Sequence, residues 1–217
     1  MAYHPTTHHY FVVWGQGNGW LDDDYFEVEC PDVRGRHLSE DGVPIGLPIW
    51  ISPDPDHLCA SGPDVIAVPA RGFSYLVVWQ DSRDQATRGQ DIYGQRVTSG
   101  GGPLGSAFRI SGPWALGDET HPRLADESAA HQYLVVWKDT RNEATRGPDI
   151  YGKRLTDLAV PSGGDFRISG NAFTTHEGWP EPAYNSAGDE YLVAFHTDRL
   201  VATRGWEIYG QRVVGSP

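Results

Sequence analysis

Lysine is nearly absent from this 217-residue chain: only Lys138 and Lys153 occur, so arginine supplies almost all of the positive charge. With 29 acidic and 17 basic side chains, the formal net charge is −12. That balance opposes nucleic acid and anionic membrane surfaces, because phosphate binding needs clustered Lys and Arg. It favours solubility first and a mild attraction for cations second. No apolar run approaches the length needed to span a bilayer. Cysteine is equally scarce. Cys30 and Cys59 allow at most one internal disulfide, which excludes a disulfide-stapled scaffold. Residues 1–10 contain no basic segment followed by an apolar one, so no signal peptide is visible. The expectation is a cytoplasmic protein as the sequence stands, or a secreted one from which a leader was removed.

What is plentiful points to strands and turns. Glycine (26) and proline (16) are spread along the chain, and eight Trp, ten Tyr and seven Phe supply the material for a packed core. The decisive feature is repetition. Tyr75-Leu-Val-Val-Trp79 returns as Tyr133-Leu-Val-Val-Trp137 and as Tyr191-Leu-Val-Ala-Phe195, each step being 58 residues. Asp91-Ile-Tyr-Gly-Gln-Arg-Val97 returns at Asp149–Leu155 and Glu207–Val213, and Phe108-Arg-Ile-Ser-Gly112 at Phe166–Gly170. A divergent first copy places Tyr10–Trp14, Asp32–Leu38 and Ile49–Ser52 in the same slots, with an acidic six-residue insertion around Asp22, Asp23 and Asp24.

A fourth segment precedes each Tyr: Pro63–Val68, Pro122–Asp126 and Pro180–Tyr184, with Met1-Ala-Tyr-His matching Pro182-Ala-Tyr-Asn. Four short segments rich in Val, Ile, Tyr and Trp, bounded by Gly, Pro, Asp and Ser, read as a four-stranded meander. We label its strands A (Pro-x-x-Ala), B (Tyr-Leu-Val-Val-Trp), C (Asp-Ile-Tyr-Gly-x-Arg) and D (Phe-Arg-Ile-Ser). Four such units, at about 1–52, 53–111, 112–169 and 170–217, predict an all-β, four-bladed β-propeller in a single domain. A β-sandwich is the alternative. Copy four stops after strand C, so its blade is expected to be incomplete, with an open edge near Ile208–Val213 available for self-association.

These motifs resemble a repeat of large bacterial secreted and surface proteins that is taken to form β-propeller blades. The chain is also similar to sialidase-type propellers in its Asp-containing turns, although their Asp-box pattern is absent. The resemblance implies architecture and a binding or adhesive, lectin-like role, and it carries no catalytic residue.

The loops suggest where a ligand would sit. The B–C loops repeat Asp81-x-Arg83 and Ala-Thr-Arg88, Asp139-x-Arg141 and Ala-Thr-Arg146, then Arg199 and Ala-Thr-Arg204. Asp and Arg at fixed offsets point to loop-bracing ion pairs, with a ring of arginines as the functional alternative. The D–A loops align without gaps and stack Cys59, Asp118 and His176 at one position, Ala60, Glu119 and Glu177 at the next, and Gly62, His121 and Trp179 two further on. Four readings follow from that stack. The residues cap loops, or Asp118, Glu119, His176 and Glu177 hold a divalent cation, Ca²⁺ with oxygen ligands or Zn²⁺ with nitrogen and sulfur. Alternatively Cys59, His176 and Asp118 form a nucleophile–base–orienter set. Finally, Trp114, Trp179 and Trp206, beside Trp20 and Phe173, offer a stacking platform for a sugar or cationic ligand. The pair His8-His9 lies in an A–B turn on the opposite face and reads as solvated. The leading expectation is non-catalytic recognition of a small polar ligand, carbohydrate first. A metal-assisted or cysteine-dependent hydrolase or transferase, or a purely structural blade array from a larger surface protein, are the alternatives.

Overall fold

The structure is a computed structural model that describes residues 1–17, 31–52, 59–68, 72–113, 116–127, 132–170, 175–199 and 205–215. Its strands form four antiparallel sheets that follow one another in chain order. Blade 1 comprises β1 (Ala2–His4), β2 (His9–Gln16), β3 (Asp32–Leu38) and β4 (Pro44–Trp50). Blade 2 comprises β5 (Ala60–Ala67), β6 (Tyr75–Asp81), β7 (Asp91–Val97) and β8 (Pro103–Arg109). Blade 3 holds β9 (Glu119–Glu127), β10 (Gln132–Asp139), β11 (Asp149–Leu155) and β12 (Pro161–Arg167). Blade 4 holds β13 (Glu177–Asn185), β14 (Glu190–Thr197) and β15 (Glu207–Val214). The fold is a β-propeller of four blades, the last with three strands, and the sandwich alternative falls away.

Each sheet is a meander because its B and C strands pair residue for residue, Tyr75 with Val97 through Asp81 with Asp91. The A strands are innermost, since β5 contacts β9 and β9 contacts β13 across the blades. The D strands β4, β8 and β12 lie outermost and are largely exposed. In β10 both faces are buried: Tyr133, Val135 and Trp137 pack against blade 2, while Leu134 and Val136 pack against blade 4. Strands sandwiched between two neighbours need Val, Leu and aromatic side chains on both sides, which the Tyr-Leu-Val-Val-Trp run supplies.

The glycine of Ile-Tyr-Gly is a close-approach residue. A Cβ on Gly94 would lie 2.9 Å from Ile110 Cδ1, and one on Gly152 would lie 2.9 Å from Ile168 Cδ1. The ladder shifts register immediately after each, so strand D bends back over the core. One backbone bond also recurs at each junction: Ala60, Glu119 and Glu177 donate their N–H groups to the carbonyls of Pro31, Gln90 and Pro148 at 2.7, 2.9 and 3.1 Å. Helix is confined, among the described residues, to the single turns α1 (Gln85–Arg88) and α2 (Glu143–Arg146) in the B–C loops.

Candidate functional site

The repeated Trp-x-Asp-x-Arg is a bracket inside each blade. Asp81 accepts the Trp79 indole N–H at 2.8 Å, the Arg83 backbone N–H at 3.0 Å, and two guanidinium bonds at 2.8 and 2.6 Å. Blade 3 repeats the arrangement with Trp137, Asp139 and Arg141. The guanidinium then lies over the tyrosine of strand C, 3.9 Å from Tyr93 in blade 2 and 4.1 Å from Tyr151 in blade 3. Blade 4 has Phe195 and Thr197 in place of Trp and Asp, and Arg199 instead binds Glu177 of strand A, its Nε at 3.1 Å. The carboxylate has changed strands while the buried ion pair is kept.

This pairing takes two of the expected cation ligands out of the rim. Glu119 and Glu177 are almost fully buried and face Arg141 and Arg199 respectively. Asp118 accepts the Gln90 backbone N–H at 3.0 Å, and exposed His176 holds Asp198 at 2.8 Å. Among the described residues no group of three His, Cys, Asp or Glu side chains is placed to hold a metal ion. The cation site expected at Asp118, Glu119, His176 and Glu177 is therefore not assembled, because burial commits both glutamates to arginine. Cys59 is disulfide-bonded, so it presents no thiolate and the Cys59–His176–Asp118 set loses its nucleophile.

Of the arginines expected to ring the mouth, Arg88 is engaged within its blade. Arg88 reaches Asp91 at 3.3 Å and the carbonyls of Gly112 and Pro113 at 2.9 and 2.5 Å, tying the B–C loop to the D–A loop. Arg146 ends α2 at the equivalent position. Cys30, Trp20, Trp114, Phe173 and Arg204 lie outside the described residues. A shallow groove of about 730 Å³ runs between α1 and α2. Of its charged groups, Arg88, Asp118 and Arg141 are those already engaged, and Glu143 of α2 joins them at the rim.

Four of the expected ligand residues, His121, Glu177, Trp179 and Trp206, do converge. A cleft of about 500 Å³ at the junction of blades 3 and 4 is lined by His121, Trp179 and Trp206, with Lys138, His196 and Asp198 beside them. Its aromatic floor has a structural origin in the A strands. At Gly62, His121 and Trp179 the backbone takes φ values of 60°, 55° and 52°, each within a register shift of the A–B ladder. This bulge is a natural glycine position, and an indole is strained there. Trp179 is nevertheless 58% exposed, its ring centroid 4.1 Å from that of His121 and 6.3 Å from that of His196. Trp206, 57% exposed, continues the surface at 4.8 Å from His196.

The polar groups of the cleft suit hydroxyls. Burial and then the nearby Lys138 hold both His121 and His196 below the ordinary histidine pKa, so each is a neutral donor–acceptor at pH 7. Burial would raise the Asp198 carboxyl, but the backbone N–H and ring of His176 outweigh it and keep the group ionised. Lys138, His196 and Asp198 were not singled out from sequence. The available signal was the residue after the strand-B aromatic, which varies as Gln80, Lys138 and His196 within an otherwise repeated strand.

Solved structures share this architecture. The chain is similar to an α-L-arabinanase of Penicillium chrysogenum in complex with arabinobiose (TM-score 0.58, 13% identity, 92% of this chain and 67% of that one). It is also similar to an α-L-arabinofuranosidase of Fusarium graminearum in complex with an iminosugar inhibitor (TM-score 0.58, 14% identity, 91% and 59%). A GH43 endo-arabinanase of Bacillus licheniformis matches at TM-score 0.54 and 13% identity, over 97% and 70%. No family model matches the chain, and no curated protein matches it. At these identities the likeness is one of fold, and the fold is the β-propeller.

Proposed function

We propose that this chain is a non-catalytic recognition module that binds a short glycan, pentose oligosaccharides first, across the Trp179–Trp206 cleft. The observation that carries the reading is Trp179. A large aromatic occupies a left-handed bulge where the repeat also uses glycine, and the residue is left more than half exposed. Burial of the ring does not account for that strain, whereas a stacking surface for a sugar face does. Neutral His121 and His196 supply hydroxyl partners, and His176 with Asp198 closes one side. The solved arabinanase with arabinobiose, similar in fold, supports a pentose ligand as the first to try.

Recognition is favoured over hydrolysis by the state of the carboxylates. Glycoside hydrolysis needs two carboxyl groups roughly 5–9.5 Å apart on either side of the scissile bond. Of the two acidic residues that line the cleft among the described residues, Glu177 is buried against Arg199 and Asp198 is engaged by His176. Titration calorimetry with arabinobiose, xylobiose and a hexose disaccharide, alongside a reducing-sugar assay, tests the proposal. We expect heat from a pentose oligosaccharide and no new reducing ends. Turnover would replace recognition with catalysis, and silence across the panel would remove the glycan reading.

A further inference from the structure

Within the chain, one pair of faces makes every blade junction. Phe11 of blade 1 packs on Tyr75, Val77 and Trp79 of blade 2. Leu76 and Val78 pack on Tyr133, Val135 and Trp137, and Leu134 and Val136 pack on Tyr191, Val193 and Phe195. Each of these side chains is essentially fully buried. Both halves of the same interface are left open at the two ends of the molecule. On blade 4, Leu192 and Ile208 are 50% and 74% exposed, whereas their equivalents Leu134 and Ile150 are at 0%. On blade 1, Tyr10, Val12 and Trp14 are partly exposed, and Tyr3, beside Tyr10, is 42% exposed. Among the described residues, no extensive contact joins blade 4 to blade 1.

A charged contact also recurs at these junctions and is open at the ends. Arg96 donates to the Leu158 carbonyl in the C–D turn of the next blade at 3.4 Å, and Arg154 donates to the Val214 and Gly215 carbonyls of blade 4. The blade 4 equivalent, Arg212, has a side chain 75% exposed and pairs with Glu190 of its own blade. The C–D turn of blade 1 is Ser39-Glu-Asp-Gly42, with Glu40 and Asp41 exposed, an acidic version of the turn that such an arginine reaches.

We propose that the open face of blade 4 docks on the open face of blade 1 of a second copy of this chain. Leu192 and Ile208 then cover Tyr10 and Val12, and Arg212 meets the Glu40–Asp41 turn. The contact is heterologous, head to tail, so it propagates into a ring or a short helical array rather than stopping at a symmetric dimer. Arg34 and Arg36 of blade 1 stand where blade 2 has Tyr93 and Gln95. They make this face more polar than its internal counterparts, so the association is weaker and depends on concentration.

Sedimentation velocity of the full chain over a wide concentration range tests the proposal, with far-ultraviolet spectra confirming the fold of every variant. The parent is expected to gain mass with concentration, by more than dimerisation alone. Arg212→Glu and the double variant Glu40→Arg/Asp41→Arg each remove it, and both change only exposed side chains. An equimolar mixture of the two makes both alternating junctions attractive and restores association beyond the dimer. Leu192→Glu abolishes association alone and, mixed with Val12→Glu, yields a capped dimer. A parent that stays monomeric at all concentrations overturns the proposal. So does association that survives the charge and face variants, or variants that are not rescued on mixing.

Discussion

Blades 3 and 4 are built from nearly the same strand sequence, yet they do different things. Leu134 and Leu192 occupy the same place in Tyr-Leu-Val, and one is at 0% exposure while the other is 50% exposed. Ile150 and Ile208 differ in the same way. The strand supplies an apolar face, and the neighbouring blade decides whether that face becomes core. The same pair of blades shows that the buried arginine matters more than the residue that pairs with it. Arg141 is held by Asp139, Asp165 and Glu119, whereas Arg199 is held by Glu177 after Thr197 replaced the aspartate.

The largest expected difference is at these arginines. Arg141→Ala removes the guanidinium that pairs buried Asp139 and also reaches Asp165, and should cost about 3–5 kcal/mol in urea unfolding. Arg199→Ala removes the partner of a single carboxylate, Glu177, so its loss should be smaller by roughly half. Equal losses would mean that the two brackets do not differ as their partners imply. Next in size, Leu134→Ala should cost about 2–5 kcal/mol, whereas Leu192→Ala should stay within about 1 kcal/mol. That pair is best measured at low protein concentration, where no second copy can cover Leu192. A large loss at Leu192 there would show that blade 4 is covered within the chain itself.

The pH dependence contrasts two other regions. Burial, reinforced by Asp139 and Asp91 and opposed by Ser111 and Arg141, pushes Glu119 up to about 8 from an ordinary 4.5. The folded chain then holds a proton that the unfolded chain has released, so stability contributed here is full below 4.5 and is lost as pH rises towards 8. Glu119→Gln should flatten that alkaline decline. On blade 1, His4 and His37 lie below the ordinary 6.5, His37 through burial and then His9 and His4. The unfolded chain binds protons more readily there, so stability falls as pH drops below 6.5. His37→Gln should soften that acid limb. Thermal melts of parent and variants from pH 4 to pH 9 read both limbs, and unchanged profiles would remove both assignments.

The fold was legible because repetition aligns four copies, and strand-B residues with apolar side chains on both faces declare a sheet buried on both sides. The cleft was legible in part. Gapless D–A loops placed His121 and Trp179 at equivalent positions, and both sit on the A-strand bulge. The misread came from charge. Glu119 and Glu177 look like rim carboxylates in sequence, but strand A carries them inward to arginines 22 residues later in the chain. Only the blade cross-section reveals that pairing. Lys138, His196 and Asp198 stayed hidden because the cleft gathers residues from different strands and two blades, while the alignment compares equivalent positions within one repeat.

The central claim is that Trp179 is a ligand-binding surface rather than a packing residue. The most direct measurement is a pair of calorimetric titrations of arabinobiose into the parent and Trp179→Gly, since glycine restores the residue that the repeat uses at the Gly62 bulge. The account predicts that the variant is as stable as the parent or slightly more so, while affinity falls by tenfold or more, about 1.4 kcal/mol. Unchanged affinity, or a variant that loses stability without losing ligand, would contradict it.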